Sequence, residues 1–114
     1  MRTIIAGSRT CTERVELIEA LKSCGWTPTV VLCGKARGAD TLGKQWAQEN
    51  GIQVWEYPAA WNVYGKSAGY RRNVEMASYA EALIAIWDGK SLGTKHMINI
   101  ARAKGLRVYV HMVE

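Results

Sequence analysis

The sequence has little that marks a membrane or secreted protein. No apolar run approaches the roughly 20 residues that a helix needs to cross a bilayer. The N-terminal stretch MRTIIAGSR has too short an apolar part for a signal peptide and runs straight into patterned sequence. We therefore expect a cytoplasmic protein without a membrane partner, and 114 residues suit one domain spanning 1–114.

Patterns for disulfides and metal ions are also missing. The three cysteines include no CxxC pair. We interpret Cys24 and Cys33 as small buried side chains, whereas Cys11, after the first strand, could be exposed. His96 and His111 stand alone, without a carboxylate pair or a third ligand nearby in the sequence, so we predict no metal and no cofactor.

Two common nucleotide-binding patterns are absent as well. The sequence contains neither a Walker A motif nor GxGxxG, which argues against a P-loop NTPase and an ordinary dehydrogenase. The net charge of +5 favours an anionic partner. Because the basic residues form neither a run nor an arm, we favour a small phosphorylated ligand over a polyanion.

What the sequence does contain is a regular alternation of β-rich runs and amphipathic stretches. This alternation predicts an α/β protein with a doubly wound, mostly parallel five-stranded sheet and helices on both faces. A capping box of Thr10 and Glu13 is expected to open the first helix, which closes at Gly25. The predicted strands are 2–7, 29–34, 52–57, 81–87 and 106–113; the later helices are 39–50, 71–80 and 91–105, with a long loop at 58–69.

Three glycine-bearing loops, at 7–9, 34–40 and 88–94, follow predicted strands. Ligands of such sheets bind beyond the carboxyl ends of the strands, so these loops are expected to converge on one site. Free N–H groups at a helix N-terminus favour an anion there. Arg37 could fork onto a phosphate, and Asp40 could accept from a ribose hydroxyl.

Each loop also has an ordinary structural interpretation. The glycines of 34–40 can make a tight turn, with Asp40 as a first-turn acid. Ser8 can cap the helix that follows it, and we favour that role over ligand binding for the loop taken alone. Ser91 or Thr94 can cap the helix after the last loop.

Arginines and aromatic residues occur near these loops. Arg71 and Arg72 are expected at a helix N-terminus, where they oppose the helix dipole and call for an anion or a carboxylate. The aromatic residues Trp55, Tyr57, Trp61 and Tyr64 could stack a base, but we favour a core or a dimer interface. A homo-oligomer is therefore expected.

Four segments in register resemble the SLOG superfamily, the Rossmann-like group that includes the Lonely Guy phosphoribohydrolases and the DprA DNA-processing proteins. They are IAGSR (5–9), CGKARGAD (33–40), AGYRRNVEM (68–76) and WDGKSLGT (87–94). The small YspA-like branch looks most similar. The resemblance implies a Rossmann-like fold and a site for a nucleotide or nucleotide-derived, ADP-ribose-like ligand. With the loop residues, it gives the predicted site as Gly7, Ser8, Arg9, Gly34, Ala36, Arg37, Gly38, Asp40, Arg72, Asn73, Asp88, Gly89, Ser91, Gly93 and Thr94.

The same resemblance bears on catalysis. Lonely Guy enzymes cleave the bond between a base and ribose 5′-monophosphate with an arginine and a glutamate. Arg72 stands at the arginine position, but Met97 stands at the glutamate position, and a thioether cannot transfer a proton. Asp88 is the acid that could replace the glutamate.

Three functions therefore stay open at the level of sequence. The first is a sensor or sequestering protein that binds a nucleotide-derived small molecule without turnover. The second is an N-glycosidic hydrolase in which Asp88 and Arg72 act. The third, ranked last, is single-stranded nucleic-acid binding as in DprA, encouraged by the pI of 9.3.

Overall fold

The most apolar runs of the sequence form the centre of a parallel sheet. The computed structural model describes residues 1–11, 13–34 and 38–113. In this part of the chain, five strands have the order β3-β2-β1-β4-β5, and each neighbouring pair is parallel. They are β1 Arg2–Gly7, β2 Val30–Cys33, β3 Gln53–Glu56, β4 Ala82–Trp87 and β5 Arg107–Met112. The α/β, Rossmann-like doubly wound fold is thus confirmed.

Helices cover both faces of this sheet. Helices α1 and α2 pack on one face, and α4 and α5 on the other, while α3 is a single exposed turn. Within the described residues, no helix combines the length and the apolar character that a membrane crossing requires. The bounds are α1 Arg14–Ser23, α2 Ala39–Glu49, α3 Trp61–Tyr64, α4 Ala68–Tyr79 and α5 Leu92–Ala103.

The core consists of side chains that alternate between the two faces of the sheet. Ile5 and Ile86 pack with α1 and α2, and Ile4 and Leu83 pack with α4 and α5. All four side chains are fully buried. Strands buried on both faces form continuous apolar runs in the sequence, which is why these strands could be predicted.

The segment 58–69, predicted as a long loop, is largely helical. It holds α3, a 3-10 turn at Gly65–Ser67, and the start of α4 at Ala68. The amide of Tyr64 donates to the carbonyl of Ala60 over 3.0 Å, which closes the turn of α3. Because α3 buries no side chain, it leaves no apolar periodicity in the sequence to detect.

The predicted capping box before α1 is wrong. Glu13 itself is the N-cap residue, and its side chain makes no capping hydrogen bond among the described residues. Upstream of it, the amide of Cys11 donates to the carbonyl of Ser8 over 3.1 Å. This turn brings Cys11 against the core that Ile5 and Leu17 share, so Cys11 is buried rather than exposed.

The order of the strands creates a crevice between two of them. From β1 the chain moves outward through β2 to β3, and then returns to place β4 on the other side of β1. Gly7 at the end of β1 pairs with Ile86 near the end of β4. Loops that leave these two strands diverge to opposite sides, which is the usual position of a ligand site in such sheets.

Candidate ligand-binding cleft

A cleft of about 220 Å³ lies beyond the carboxyl ends of β1 and β4. Loops after β1 and β4, the start of α2, and the region from α3 to α4 all contribute to its walls. The structure therefore brings together parts of all three predicted loops. The lining residues are Ala6, Gly7, Arg9, Asp40, Trp61, Lys66, Gly69, Tyr70, Arg72, Asn73, Met76, Ser91, Gly93, Thr94 and Met97.

At the end of β1, Gly7 and Ser8 hold the frame of the cleft. A Cβ on Gly7 would lie 2.2 Å from the carbonyl oxygen of Ile86, so the strands approach too closely for a side chain. The buried hydroxyl of Ser8 accepts a hydrogen bond from the amide of Asp88 over 3.1 Å. Ser8 thus joins the ends of β1 and β4. Its predicted role as a helix cap is wrong, because α1 begins only at Arg14.

In the second loop, Asp40 organises the backbone. Its Oδ2 accepts from the amide of Gly34 over 3.0 Å, and the side chain is buried at the cleft wall. Gly38 has φ +74°, and a Cβ there would lie 2.4 Å from the carbonyl of Ser8. Gly38 therefore combines a backbone conformation that favours glycine with a close approach to the backbone of Ser8. Ala36 and Arg37, also predicted for the site, lie outside the described residues.

Arg72 is a largely buried cation at the cleft. Its Nη1 donates to the carbonyl of Gly34 over 2.5 Å, and its Nε donates to Oδ1 of Asn73 over 3.0 Å. Among the described residues, no acceptor is recorded for Nη2. Burial lowers the pKa of Arg72, Asp40 opposes that effect, and the nearby Arg9 lowers it further. An arginine remains charged in any case. A second cation so close favours an anion in the cleft.

Arg71 and Arg72 do not begin a helix, so the prediction that they oppose a helix dipole is wrong. Helix α4 begins at Ala68, so Arg71 and Arg72 lie beyond its first residues. The expected carboxylate near Arg72 is present in Asp40. Arg71 instead lies over the ring of Tyr64, 4.3 Å from its centroid.

Asn73 connects helix α4 to helix α5. Its Oδ1 accepts from Arg72, which turns its Nδ2 toward the carbonyl of Gly93 at 3.4 Å and Nδ1 of His96 at 3.3 Å. Burial lowers the pKa of His96, so a neutral ring can accept this hydrogen bond near pH 7. Asn73 therefore fixes the guanidinium of Arg72 relative to the first turn of α5.

In the third loop, Asp88 binds its own turn. Its Oδ1 accepts from the amides of Ser91 and Lys90, each over 2.8 Å, and these bonds lower the pKa of Asp88. The residue itself is not part of the cleft lining. Gly89 follows with φ +78°, which permits the turn. One of the two carboxylate oxygens of Asp88 is thus held by backbone N–H groups.

The first turn of α5 forms an open side of the cleft. Ser91 caps the helix by accepting from the amide of Thr94 over 3.5 Å, so the predicted cap is present. Thr94 is buried in the lining. A Cβ on Gly93 would meet no described atom within 4 Å, so space is kept there.

The floor of the cleft is apolar. Met97 and Met76 both line it and are almost completely buried in the core cluster under α4 and α5. Among the described lining residues, Asp40 is the only carboxylate. The position at which the resemblance requires a glutamate is therefore a packing position.

The aromatic residues divide between the core and the cleft. Trp55 and Tyr57 pack against the core, as expected. Trp61 lines the cleft and is 51% exposed. Tyr70, which was not predicted for the site, also lines it and packs against His96 with ring centroids 4.4 Å apart.

Seven lining residues are absent from the predicted site: Ala6, Trp61, Lys66, Gly69, Tyr70, Met76 and Met97. Lys66 and Gly69 fall within the segment taken as a loop, so no helical spacing connected them to Arg72. A helix start at Ala68 places Gly69, Arg72 and Asn73 within one and a half turns. The signal was the segment AGYRRN itself, which spans that first part of α4.

His111 is not isolated, contrary to the prediction. Its Nε2 lies 2.5 Å from Oε2 of Glu16 and 4.0 Å from Oε2 of Glu19. The pair connects α1 to the edge strand β5. These three residues are spaced as metal ligands could be, but none of them lines the cleft.

Comparison with known proteins agrees with this architecture. The sequence model for the YspA, cpYpsA-related SLOG family (YAcAr) matches residues 1–64. "Gene 61 protein" of Mycobacterium phage D29 is 35% identical over 116 residues, which cover 94% of this chain and 93% of the phage protein.

A similar fold occurs in a solved structure. DNA processing protein A (DprA) from Streptococcus pneumoniae superposes with a TM-score of 0.75 at 18% sequence identity. The match covers 96% of this chain and 49% of the DprA chain, so the chain spans about half the length of DprA. At this identity the likeness concerns the fold alone.

Proposed function

The chain belongs to the YspA, cpYpsA-related SLOG family, and from that premise we propose that it binds a nucleotide or nucleotide-derived, ADP-ribose-like phosphorylated molecule in the cleft, without turnover. Such a protein acts as a sensor of its ligand or sequesters it. The site lies where the fold places ligands, beyond the carboxyl ends of β1 and β4.

The charge of the cleft carries this proposal. Arg9, Lys66 and Arg72 line it, against the single described carboxylate of Asp40, which already accepts from the amide of Gly34. Two neighbouring guanidinium groups cost free energy unless an anion lies between them. A phosphate suits the planar donors of arginine.

The absence of a placed acid among the described lining residues supports binding over hydrolysis. Met97 offers no proton, and Asp40 is buried against Gly34 and near Arg72. Asp88, the remaining acid that could act, holds the amides of Lys90 and Ser91. General acid–base catalysis needs a group within hydrogen-bond reach of the reacting atom.

Calorimetric titration with nucleoside 5′-monophosphates, ADP-ribose and inorganic phosphate tests the proposal. We expect at least one phosphorylated compound to bind. Arg9→Gln and Arg72→Gln should each lower its affinity by about 10-fold or more, since hydrogen bonds to charged groups contribute about 1.5–3 kcal/mol. Arg71→Gln is the matched control, because Arg71 is adjacent in sequence but lies on Tyr64. Equal losses in all three variants would contradict a site at Arg9 and Arg72.

The hydrolase alternative is tested on the same samples. Release of free base from each nucleotide is followed by chromatography, with wild type and Asp88→Asn side by side. We expect no release from either protein. Release by wild type that disappears in Asp88→Asn, with binding retained, would establish the enzyme instead.

A specific observation also favours a second candidate, single-stranded nucleic acid. Trp61, Tyr64 and Tyr70 are exposed in the same region as Lys66 and Arg71. Aromatic and basic side chains on one surface are the usual elements of a single-strand site. Its distinguishing property is a steep dependence on salt.

A further inference from the structure

His96 lies behind the wall of the cleft rather than in its lining. It is partly buried on α5, and the described lining includes Thr94 and Met97 of that helix without it. Two side chains that do line the cleft contact its ring: the ring of Tyr70, with centroids 4.4 Å apart, and Nδ2 of Asn73, 3.3 Å from its Nδ1. A change in the charge of this ring therefore acts on the cleft through its wall and not by contact with a ligand.

The side-chain amide of Asn73 has its direction set by partners on both sides. Its Oδ1 accepts from Nε of Arg72 over 3.0 Å, while its Nδ2 faces the carbonyl of Gly93 and Nδ1 of His96. Asn73 is only 6% exposed, so water has little access to replace either partner. The amide therefore holds its oxygen toward the cation and its nitrogen toward the ring.

Protonation of His96 reverses what its ring offers to this amide. A neutral imidazole can accept at Nδ1, whereas a protonated one carries N–H groups on both nitrogens and only donates. The new N–H would face Nδ2 of Asn73, which is also a donor. Turning the amide over would offer its oxygen to the ring, but it would then present N–H groups to Nε of Arg72. Either arrangement leaves a buried donor without its acceptor, so the charge of His96 is coupled to the bond that holds Arg72.

That bond is one of the two anchors of the guanidinium. Nη1 of Arg72 donates to the carbonyls of Gly34 and Tyr57, over 2.5 and 3.5 Å, and Nε donates to Asn73. Anchors on two of its three nitrogens fix the plane of the group, whereas an anchor on one nitrogen permits rotation. Arginine binds phosphate through planar donors, and their orientation before binding contributes to affinity. Loss of the anchor at Nε therefore lowers the affinity for an anion without removing the charge.

The surroundings of His96 decide the direction of the pH dependence. Tyr70 on α4 contacts the ring, Arg72 on the same helix is joined to it through Asn73, and strand β4 beneath α5 consists of apolar residues. Burial holds the pKa of His96 below its ordinary value of about 6.5, and no charged side chain among the described residues contributes to that shift. The ring is therefore neutral at pH 7 and becomes charged on the acid side of about pH 6.5.

We propose that His96 is a positioning residue for Arg72, whose neutral ring keeps Asn73 turned toward the guanidinium and whose protonation releases it. This inference rests on the proposed function and adds regulation by pH to the same site. The cleft then holds a phosphorylated ligand at neutral pH and binds it more weakly in acid.

Nitrogen-15 NMR of the ligand-free protein tests the coupling itself. We expect the Nε–H signal of Arg72 and the side-chain amide signals of Asn73 to shift with the same midpoint as the ring of His96. In His96→Asn, an amide oxygen that does not titrate replaces the acceptor, so this shift should disappear. His111 is an internal control, because it lies outside the lining and its own titration should leave Arg72 unaffected. Signals of Arg72 that stay constant while His96 titrates would overturn the proposal.

Calorimetric titration at about pH 8 and about pH 5 tests the effect on binding. ADP-ribose and inorganic sulfate are suitable probes, because their anionic groups keep their charge over this range. We expect wild type to bind each probe about 5-fold more weakly at the lower pH, as loss of one hydrogen bond implies. His96→Asn should keep the higher affinity at both pH values. His96→Phe, which keeps a ring against Tyr70 but has no acceptor, should have the lower affinity at both.

The outcomes separate this inference from the function on which it rests. Absence of binding by wild type at pH 8 would overturn the proposed function and the regulation of affinity, while the NMR signals still decide whether His96 positions Arg72. Tighter binding at pH 5 by wild type but not by His96→Asn would overturn the proposal, since the charged ring would then attract the anion directly. An equal fall in wild type and both variants would overturn it as well and assign the pH dependence to another group.

Discussion

Gly7 and Gly93 line the cleft and Gly34 lies against Arg72 of its lining, and each lacks a side chain for a different reason. A side chain on Gly7 would collide with the backbone of Ile86, and one on Gly34 would lie 2.3 Å from Nη1 of Arg72. A side chain on Gly93 would meet open space. The first glycine therefore serves the packing of the sheet, the second the position of Arg72, and the third the space left for a ligand.

Substitutions of Gly7 and Gly93 by alanine should separate stability from binding. Gly93→Ala should leave the free energy of unfolding unchanged or raise it by up to about 1 kcal/mol, because alanine favours a helix over glycine. It should nevertheless lower the affinity for the phosphorylated ligand, since the new methyl group occupies the cleft. Gly7→Ala should destabilise by about 1–3 kcal/mol, as overpacking does. Urea denaturation and calorimetric titration measure the two quantities.

The result for Gly93→Ala decides whether the first turn of α5 contacts the ligand. Unchanged affinity would place the ligand away from Gly93 and closer to Arg9 and Trp61. A loss of stability comparable to that of Gly7→Ala would mean that the space beside Gly93 is smaller than the structure shows.

At the scale of elements, helix α5 carries the residue that separates this chain from the hydrolase pattern. Met97 is 1% exposed and packs with Met76 beneath the cleft. Met97→Glu should lower stability by about 1–3 kcal/mol or more, because a buried polar group without partners is costly. Met97→Leu is the control and should cost less than about 1.5 kcal/mol.

We expect Met97→Glu to release no base from AMP, measured by chromatography beside thermal unfolding. Burial would raise the pKa of the new carboxyl group and keep it protonated, so it could not stabilise positive charge on a ribose. Appearance of free adenine would contradict this expectation. It would show that a glutamate at position 97 is sufficient for hydrolysis in this fold.

The elements of the sheet could be predicted because burial on two faces leaves a strong pattern. Ile4, Ile5 and Leu83 belong to runs in which nearly every residue is apolar. Helix α3 could not be predicted in this way. It is one exposed turn that buries no side chain, so it requires no regular spacing of apolar residues in the sequence. A core or a dimer interface was favoured for Trp61 over stacking on a base, whereas the structure places it in the lining of the cleft.

The candidate site was predictable where glycine and local sequence fix the backbone. Gly7 and Gly34 lie at the ends of strands, and Gly38 and Asp40 lie at the start of helix α2; the alternation of strands and helices locates both places. The roles of Ser8 and Asn73 were not predictable, because each side chain binds a residue far along the chain. The partner of Ser8 is 80 positions away and that of Asn73 is 20 positions away. Ser8 binds the amide of Asp88, and Asn73 binds the carbonyl of Gly93.

At the scale of the whole molecule, the positive charge is dispersed. Surface ion pairs join Arg2 to Glu81, Arg14 to Glu49 and Lys44 to Glu56, and none of these residues lines the cleft. Among the residues that the structure describes, Arg9, Lys66 and Arg72 are the cations that line the cleft. These cations around one cleft can bind a single phosphate, whereas a polyanion needs basic side chains along a continuous groove.

Salt dependence should therefore distinguish the two classes of ligand. Between 50 and 200 mM salt we expect the affinity for a nucleoside monophosphate to fall by less than about 10-fold, since few counterions are exchanged. A protein with 6–10 phosphate contacts would lose about 10³–10⁵ over the same range. Titration of AMP and of a single-stranded oligonucleotide at both salt concentrations measures this. Tight oligonucleotide binding with the steep slope would favour the nucleic-acid function.

The central place of β1, between β2 and β4, makes the cleft a junction between two stretches of the chain. The family model matches residues 1–64, which include β1, β2 and β3 and end before α4. Arg9 and Asp40 come from this recognisable half, whereas Arg72, Gly93 and Thr94 come from the other, and the bond from Asp88 to Ser8 joins the halves. Ligand binding therefore requires both stretches to be folded against each other, so it should report on the assembly of the whole sheet.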